Sequence, residues 1–535
     1  MKDTALSRRG FLVGAGLFAG AVAAEAMGAT VGASASAEEV EAGGKATQFT
    51  LPIEPVTPPE SWDEETDVVV CGTGGSGGAA IVGALEAGAK VIGLEKNAIW
   101  GGNLQFSGVW GDPLATVPEI AVQNYRLWQT PYAKKNPRVV SILAQRAAED
   151  LNWILSMRQY NFDPYYLQYG CFHPIPADPS IPAEYGGRFF ANCLQGRAKA
   201  LGGDIRYSTP CVALVQEAGG TVVGVKARDL ESGREYFIKA KSVVFGVGGW
   251  TANRDMLEYY MHEDCSYEIT DMCRYMGLPG ATGDGARMAK GVGARLMSMN
   301  EVDYYDGGVE IPGTPNGPRS FYAGANQLNR QSSLSVNKLG KRFMDESATG
   351  GDSFGYQARM KAMQPDATTF TILDSTCITA EQVNAVFMPT ACEVPRVWFD
   401  DDVKEQIASG IIMKAETPEE LAEKMGVPVD TFVATLNEYN AACDAGEDTM
   451  FYKPAFYLHA LRTPPYYATK GVGNSLMTCL GGVAYDENLN AIRPDGYPIE
   501  GLYVCGETAS YITGVAKTIQ SGRYAGQNAA AHALA

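Results

Sequence analysis

The sequence predicts an α/β protein whose main unit is a Rossmann-like dinucleotide-binding domain. Two observations carry that expectation. The stretch VVVCGTGGSGGAAIVGALEAGAKVIGLEK, residues 68–96, reads as a strand, a glycine-rich turn, a helix and a second strand. Composition agrees, since 46% hydrophobic and 19% charged residues are ordinary for a soluble globular chain.

Val68, Val69 and Val70 make an apolar run suited to a central parallel strand. Gly72, Gly74 and Gly77 follow at G-x-G-x-x-G spacing, with Gly75 inside the turn. Gly72 makes the tight turn, Gly74 lets the backbone approach a pyrophosphate, and Gly77 lets the helix pack on the strand. Glu95 closes the second strand where a carboxylate accepts hydrogen bonds from a ribose 2′-OH, and Lys96 follows it. A carboxylate there disfavours a 2′-phosphate, hence NADP. The motif by itself leaves NAD and FAD both open.

At 535 residues the chain exceeds one simple core and implies two or three domains besides an N-terminal signal. A net charge of −18 argues against nucleic acid or an anionic membrane surface as partner. Ser7-Arg8-Arg9 with Phe11-Leu12, a Gly/Ala-rich apolar run and Ala35-Ser36-Ala37 form the pattern of a twin-arginine export signal with a small-residue cleavage site. The twin-arginine translocase carries proteins already folded, so the expected location is the periplasm or cell envelope. A plain membrane anchor is the other reading of this run; Glu25 and the Gly/Ala content count against it. Residues 1–37 are assigned to the signal and 38–65, polar and Pro-rich, to a linker. The 11 cysteines are odd in number and scattered, without any Cys-x-x-Cys. Zinc ribbons, ferredoxin-type clusters and self-attached c-type haem are not supported, and no metal is expected.

Four further segments narrow the cofactor. KNAIWGGNLQFSGVWG follows the second strand; FIKAKSVVFGVGGWTANRDM, GATGDGARMAKGVGARL and IEGLYVCGETASYITGVAKTIQSGRYAGQNAAAHAL come later. Together they resemble the flavoprotein family of soluble fumarate reductases and flavocytochromes c, with succinate dehydrogenase flavoproteins and 3-ketosteroid dehydrogenases as relatives. The likeness covers nearly all of the chain after the signal. It implies FAD, with Glu95 at the adenosine ribose and the Val212 backbone at the adenine. It places Gly101, Gly102 and Asn103 along the pyrophosphate and flavin and Asp284 and Glu507 on the ribityl-diphosphate side, with Lys96, Ser107 and Gly248 as further cofactor-binding candidates. Thr513, Gly514 and Val515 match the place where backbone N–H groups at a helix start face the flavin pyrimidine. The implied architecture is a Rossmann-like FAD-binding domain (66–351 and 456–535) with an inserted α+β capping domain (352–455) that closes over substrate. Thr417 with Glu420 is a capping box opening a helix of that insertion.

In the fumarate reductases an arginine protonates one alkene carbon, while histidines and a second arginine hold two carboxylates. Counting along VNKLGKRFMDESATGGD, the acid slot falls on Gly350. The histidine slots map near Tyr304 and near Met477-Thr478, and the arginine loop after Glu507 is shortened, with Lys517 the only cation nearby. The four histidines, His173, His262, His459 and His532, fall in none of these motifs. Such a pocket would leave a dicarboxylate poorly compensated, so fumarate is not the favoured substrate. The ketosteroid dehydrogenase likeness implies that Tyr467 and the N–H of Gly471 hold a carbonyl oxygen; a packed aromatic is the plainer reading of Tyr467. Tyr304 or Tyr305 is the candidate proton donor, with Asp352 and Tyr356 as alternatives. The expected function is an exported FAD-dependent oxidoreductase, a respiratory enzyme reducing an activated C=C bond of a small alkene acceptor. That acceptor is an enone, a steroid or a phenylpropanoid, and a separate cytochrome or quinol-linked donor supplies electrons. The reverse reaction, a rebuilt fumarate reductase site, and a non-catalytic FAD-binding electron carrier are the alternatives.

Overall fold

The computed structural model describes residues 47–106, 136–158, 162–166, 172–176, 187–261, 274–275, 277–306, 332–347, 353–377, 406–472 and 474–535. The expected signal lies outside them. In chain order the first elements are β1 (Glu64–Cys71), α1 (Gly75–Glu86), β2 (Val91–Leu94), α2 (Pro137–Ser156), α3 (Gly187–Ala200) and β3 (Asp204–Arg206). Next come β4 (Cys211–Gln216), β5 (Val222–Arg228), β6 (Glu235–Phe245), β7 (Arg274–Tyr275), α4 (Asp284–Gly291), β8 (Val302–Asp306) and β9 (Leu334–Asn337). After these follow α5 (Ser353–Ala362), β10 (Thr368–Asp374), β11 (Met413–Ala415), α6 (Pro418–Met425), α7 (Val429–Ala445) and β12 (Tyr466–Val472). The last are β13 (Asn474–Cys479), β14 (Asn490–Ile492), β15 (Pro498–Val504) and α8 (Val515–Leu534).

The main sheet has the order β14-β15-β6-β1-β2-β3, with β5 added to β6 and β4 to β5. Strands β3, β2, β1, β6 and β15 are parallel, as the continuous apolar run Val68–Val70 suggests for a strand buried on both faces. Cys71 lies opposite both Leu94 and Phe245, and Phe245 opposite Val504. Four strands therefore end in one line, and the turns after them share the carboxyl edge where open α/β sheets bind ligands.

Helix α8 lies on α1 with almost no side chain between them. A Cβ at Gly522 would collide with the Ser76 carbonyl, one at Gly526 with the Ala80 carbonyl, and one at Gly83 with the Arg523 carbonyl. Both helices rest on β1 and β6. No helix among the described residues is long and apolar enough to cross a membrane.

The second domain is a four-stranded antiparallel sheet in the order β9-β10-β12-β11, backed by α6 and α7. Its core includes Leu334, Phe370, Ile372, Phe432, Leu436 and Tyr466. This sheet takes in Leu334–Asn337 and Tyr466–Val472, which flank the expected capping domain 352–455 on either side. Composition changes at 352, whereas the pairing partners of β10 lie outside that window. Thr417 accepts from the Glu420 N–H at 3.2 Å as the capping box requires, and the Glu420 carboxylate reaches back to the N–H of Glu416.

The described part of the linker does not hang free: Ile53 N–H donates to Arg287 O (3.1 Å) and Val56 N–H to Leu214 O (2.9 Å). The segment is Pro-rich, and the residues between its prolines keep their N–H groups for such contacts. Phe162–Tyr166 and Phe172–Pro176 pair as two short antiparallel strands, in keeping with the strand preference of Phe and Tyr.

A buried ionic cluster holds β9 and the chain after it. The Glu346 carboxylate accepts from Arg342 (2.9 and 3.0 Å), from the Ser335 N–H (3.0 Å) and from Lys453 (3.3 Å). Lys453 also donates to Ser333 O and to the Tyr439 hydroxyl, and Arg342 pairs with Asp448 at 2.8 Å. Burial by itself raises the Glu346 pKa, but Lys453 and Arg342 outweigh it and hold the carboxyl below its ordinary 4.5. A depressed folded pKa gives stability that is present above 4.5 and lost as pH falls through the lower folded value. Glu346→Gln is expected to cost about 3–5 kcal/mol at pH 7 by stranding buried cations. The gap in melting temperature between wild type and variant should narrow as pH falls below 4.5, which thermal unfolding across pH measures.

Candidate functional site

The turns at the carboxyl edge of the main sheet form a cradle. Gly72, at φ 92°, packs so tightly on Gly246 that a Cβ would strike its carbonyl, and a Cβ at Gly77 would strike the Gly72 carbonyl. Gly74 and Gly248 face open space instead, apart from the Gly102 Cα at 3.9 Å from a Cβ on Gly74.

Two helices begin at this cradle. Gly74 caps α1 and Gly514 caps α8, with no side-chain cap and no acidic residue in either first turn. The α8-on-α1 seam brings these starts together, with Gly75 against Thr518 and Ile519. Two sets of backbone N–H groups and two positive dipole ends therefore meet without a carboxylate to neutralise them, which is an anion site. Beside Gly514, the Thr513 hydroxyl oxygen is buried without a hydrogen-bond partner among the described residues.

Glu95 is 5% exposed, and its carboxylate anchors the surrounding turns. One oxygen accepts from the Thr73 N–H (2.8 Å) and hydroxyl (2.9 Å), the other from the Asn97 N–H and side-chain amide (both 2.8 Å). Lys96 donates to Asp284 (2.7 Å) and to the Thr282 hydroxyl (2.6 Å), tying the second strand to the start of α4. Val212, the expected adenine contact, stands at the register shift between Cys211 and Ala213, outside the paired positions of the ladder with β5. Gly101 donates its N–H to Thr73 O (3.1 Å), and Gly101 and Gly102 both have positive φ, which folds the GGN turn over Gly74. Ser107 lies outside the described residues.

A small sheet, β8-β13-β7, adjoins the cradle. The Cys479 thiol of β13 donates to Glu507 O (3.6 Å), and Trp250 Nε1 donates to Gly481 O (3.1 Å). Tyr304 pairs with Leu476 and Tyr305 with Ser475, so both candidate donors stand on a strand beside the cradle; their side chains, with Gly350 and Asp352, lie outside the described residues. Two side chains here were missed in the sequence. Tyr275 on β7 shares its hydroxyl with Asn103 (2.7 Å), and its signal, one tyrosine just before GLPGATGDG, is too weak to single out. Tyr511, at φ 58°, donates to the Glu301 carboxylate, and the shortened loop after Glu507 closes on the root of β8 through that bond. Burial and Glu301 push the Tyr511 pKa up to about 12.

Tyr467 and Gly471 both lie on β12, which is paired with β10 along its whole length, from Thr368↔Val472 to Asp374↔Tyr466. At ~3.3 Å per residue their Cα atoms are about 13 Å apart on one face of the strand. Tyr467 also packs in the second core.

Asp374, Cys377 and His459 place their ligand atoms within 4.8 Å of one another. Thr376 fills the middle, its hydroxyl bonded to Asp374 and lying 2.7 Å from His459 Nε2. The second Asp374 oxygen takes the Arg462 and Thr463 N–H groups (2.8 Å each). The carboxylate and imidazole have partners within the fold, and the cluster anchors the turn entering β12. Cysteines 71, 193, 211, 377, 443, 479 and 505 are all free thiols.

A parallel sheet carrying a glycine cradle between two uncapped helix starts, with a second domain inserted in the chain, defines a dinucleotide-dependent oxidoreductase. The chain belongs to the FAD binding domain family, which matches residues 67–521. It is 29% identical to a probable fumarate reductase of Shewanella frigidimarina over 88% of this chain and 76% of that protein. It is 27% identical to a vinyl phenol reductase of Lactiplantibacillus plantarum (87% and 96% covered) and 28% identical to a urocanate reductase of Eggerthella lenta (94% and 82% covered). Among solved structures, the open conformation of a flavocytochrome c3 fumarate reductase superposes with a TM-score of 0.70 at 25% identity, covering 89% of this chain and 80% of that one. The cofactor is FAD, and the chain is an FAD-dependent enzyme acting on CH–CH groups. The orphaned Thr513 hydroxyl, the open glycine floor and the paired helix starts all suit that group. Glu95→Ala removes a carboxylate that orders both flanking turns; losing hydrogen bonds to one charged group costs about 1.5–3 kcal/mol. FAD titration of the apoprotein should therefore show an affinity about 10- to 100-fold weaker.

Proposed function

We propose that this chain reduces an activated C=C bond in a small neutral or singly charged acceptor, with electrons from a separate cytochrome or quinol-linked donor. The observation that carries this reading is the sheet β8-β13-β7 beside the cradle. Its strands β8 and β13 bear Tyr304 and Met477-Thr478, near which the fumarate reductase pattern calls for histidine, with Tyr305 and Tyr275 on the same sheet. Phenols supply hydrogen bonds without positive charge, so a second carboxylate on the substrate goes uncompensated. Relatives named for vinyl phenol and urocanate support an acceptor of one ring and one short unsaturated arm.

FAD, when bound, supplies two-electron reducing power to an alkene carbon. The chain's own part is binding, orientation and proton supply. The starts of α1 and α8 favour negative charge on the cradle side. Tyr304 or Tyr305 provides the proton for the second alkene carbon, with Asp352 as the alternative. The inserted domain excludes water as it closes. The Arg8-Arg9 signal supports export of the folded protein through the twin-arginine translocase to the periplasm or cell envelope.

The test is anaerobic: the dithionite-reduced protein is mixed with 2-cyclohexenone, trans-cinnamate, 4-vinylphenol and fumarate, and flavin reoxidation is followed by absorbance. At least one of the first three is expected to reoxidise the protein tenfold or more faster than fumarate, on the order of one uncompensated charge. Reoxidation by fumarate alone would overturn the choice of acceptor, and reoxidation by none would leave an electron carrier.

A further inference from the structure

We infer that residues 47–56, the described start of the linker, form a strap whose docking on α4 and β4 is coupled to FAD, with Arg287 as the positioning residue that joins the two. The inference goes beyond the reductase reading and makes no use of the acceptor.

The strap is held by specific bonds along its length. The Arg287 guanidinium donates to two of its carbonyls, from Nε to Leu51 O (2.8 Å) and from Nη2 to Gln48 O (2.6 Å). A planar fork reaches both carbonyls at once, which the single ammonium of a lysine does not. The Arg287 carbonyl in turn accepts from the Ile53 N–H at 3.1 Å. At the near end the Thr47 hydroxyl donates to Asp255 (2.7 Å). At the far end Val56 bridges to Val215 in parallel: its N–H donates to Leu214 O (2.9 Å), and its carbonyl accepts from the Gln216 N–H (3.0 Å). Gly291, the last residue of α4, completes the fit. A Cβ there would lie 2.1 Å from the Ile53 carbonyl oxygen, so the strap crosses the helix where no side chain stands.

Both docking surfaces lead to the cradle. Arg287 stands about one helical turn after Asp284 on α4. Asp284 accepts from Lys96 (2.7 Å) and from the Thr282 hydroxyl (3.0 Å). Lys96 follows Glu95, whose carboxylate orders the turns at Thr73 and Asn97. Burial raises the Asp284 pKa, but Lys96, Thr282 and Arg287 outweigh it and keep the carboxyl below its ordinary 3.8. One guanidinium therefore serves the inner carboxylate and the outer strap together. On the other side, β4 carries Val212, the expected adenine contact. The strap is a brace across the two elements assigned to the adenine and to the ribityl-diphosphate side of the cofactor.

Such a brace acts in both directions. FAD that draws Asp284 and Val212 into place favours the docked strap, and the docked strap holds those groups ready for FAD. By linkage the two factors are equal. Pro52 and Pro55 restrict the undocked segment, which lowers the entropic cost of docking.

The experiment follows hydrogen exchange at the Ile53 and Val56 amides in the empty and the FAD-loaded wild type. It also titrates FAD into the apoproteins of wild type, Gly291→Ala and Arg287→Lys. Exchange at both amides is expected to be about tenfold slower with FAD bound, and each variant to bind FAD about tenfold more weakly. Gly291→Ala is the sharper probe, because Ala favours a helix more than Gly does and α4 itself loses nothing. Its weaker binding should appear with the apoprotein melting temperature unchanged. Equal exchange in the empty and loaded wild type overturns the inference. FAD affinity within threefold of wild type in Gly291→Ala also overturns it. So does weaker binding accompanied by a lower apoprotein melting temperature, since the strap then supports only the fold.

Discussion

The contact of α8 with α1 sets the geometry of everything at the cofactor end. Gly522, Gly526 and Gly83 let backbone touch backbone, so the two helices lie closer than side chains would permit. Their N-termini consequently open side by side, above strands whose last residues are already aligned by the Cys71–Leu94 and Cys71–Phe245 registers. Neither start carries a side-chain cap, so the charge that belongs there has to come from a ligand. Close packing thereby becomes an electrostatic feature.

The second domain meets a different constraint. It rests on a core of its own, beside which the Arg342–Glu346–Lys453 cluster pairs buried charges. That cluster fixes the chain just before position 350, the slot that an arginine fills in the fumarate reductases. Strand β12 ends at Val472 and β13 begins at Asn474, so the second sheet and the small sheet beside the cradle are neighbours in the chain.

The cofactor half was largely legible in the sequence. Short-range rules govern it: glycines forced by positive φ or close approach at Gly72 and Gly77, a carboxylate at the end of a strand at Glu95, a helix start after Gly514. The substrate half was less so. Tyr275 meets Asn103 through a three-stranded sheet built from segments far apart in the chain, and no local pattern marks it. The second sheet is equally non-local, because β9 and β12 join through β10 rather than through adjacency in sequence.

The glycine seam also bears on assembly. One wall of the cradle comes from residues 72–78 and the other from 505–522, with the inserted domain between them in sequence. Neither wall alone offers two dipole ends, so no partial fold has a reason to retain the nucleotide. Contacts this distant in the chain form late, because the loop entropy they close is large. FAD then stabilises only the completed fold, by mass action. In this chain the cofactor works as a clasp between its early and late segments, and its retention reports that folding has finished.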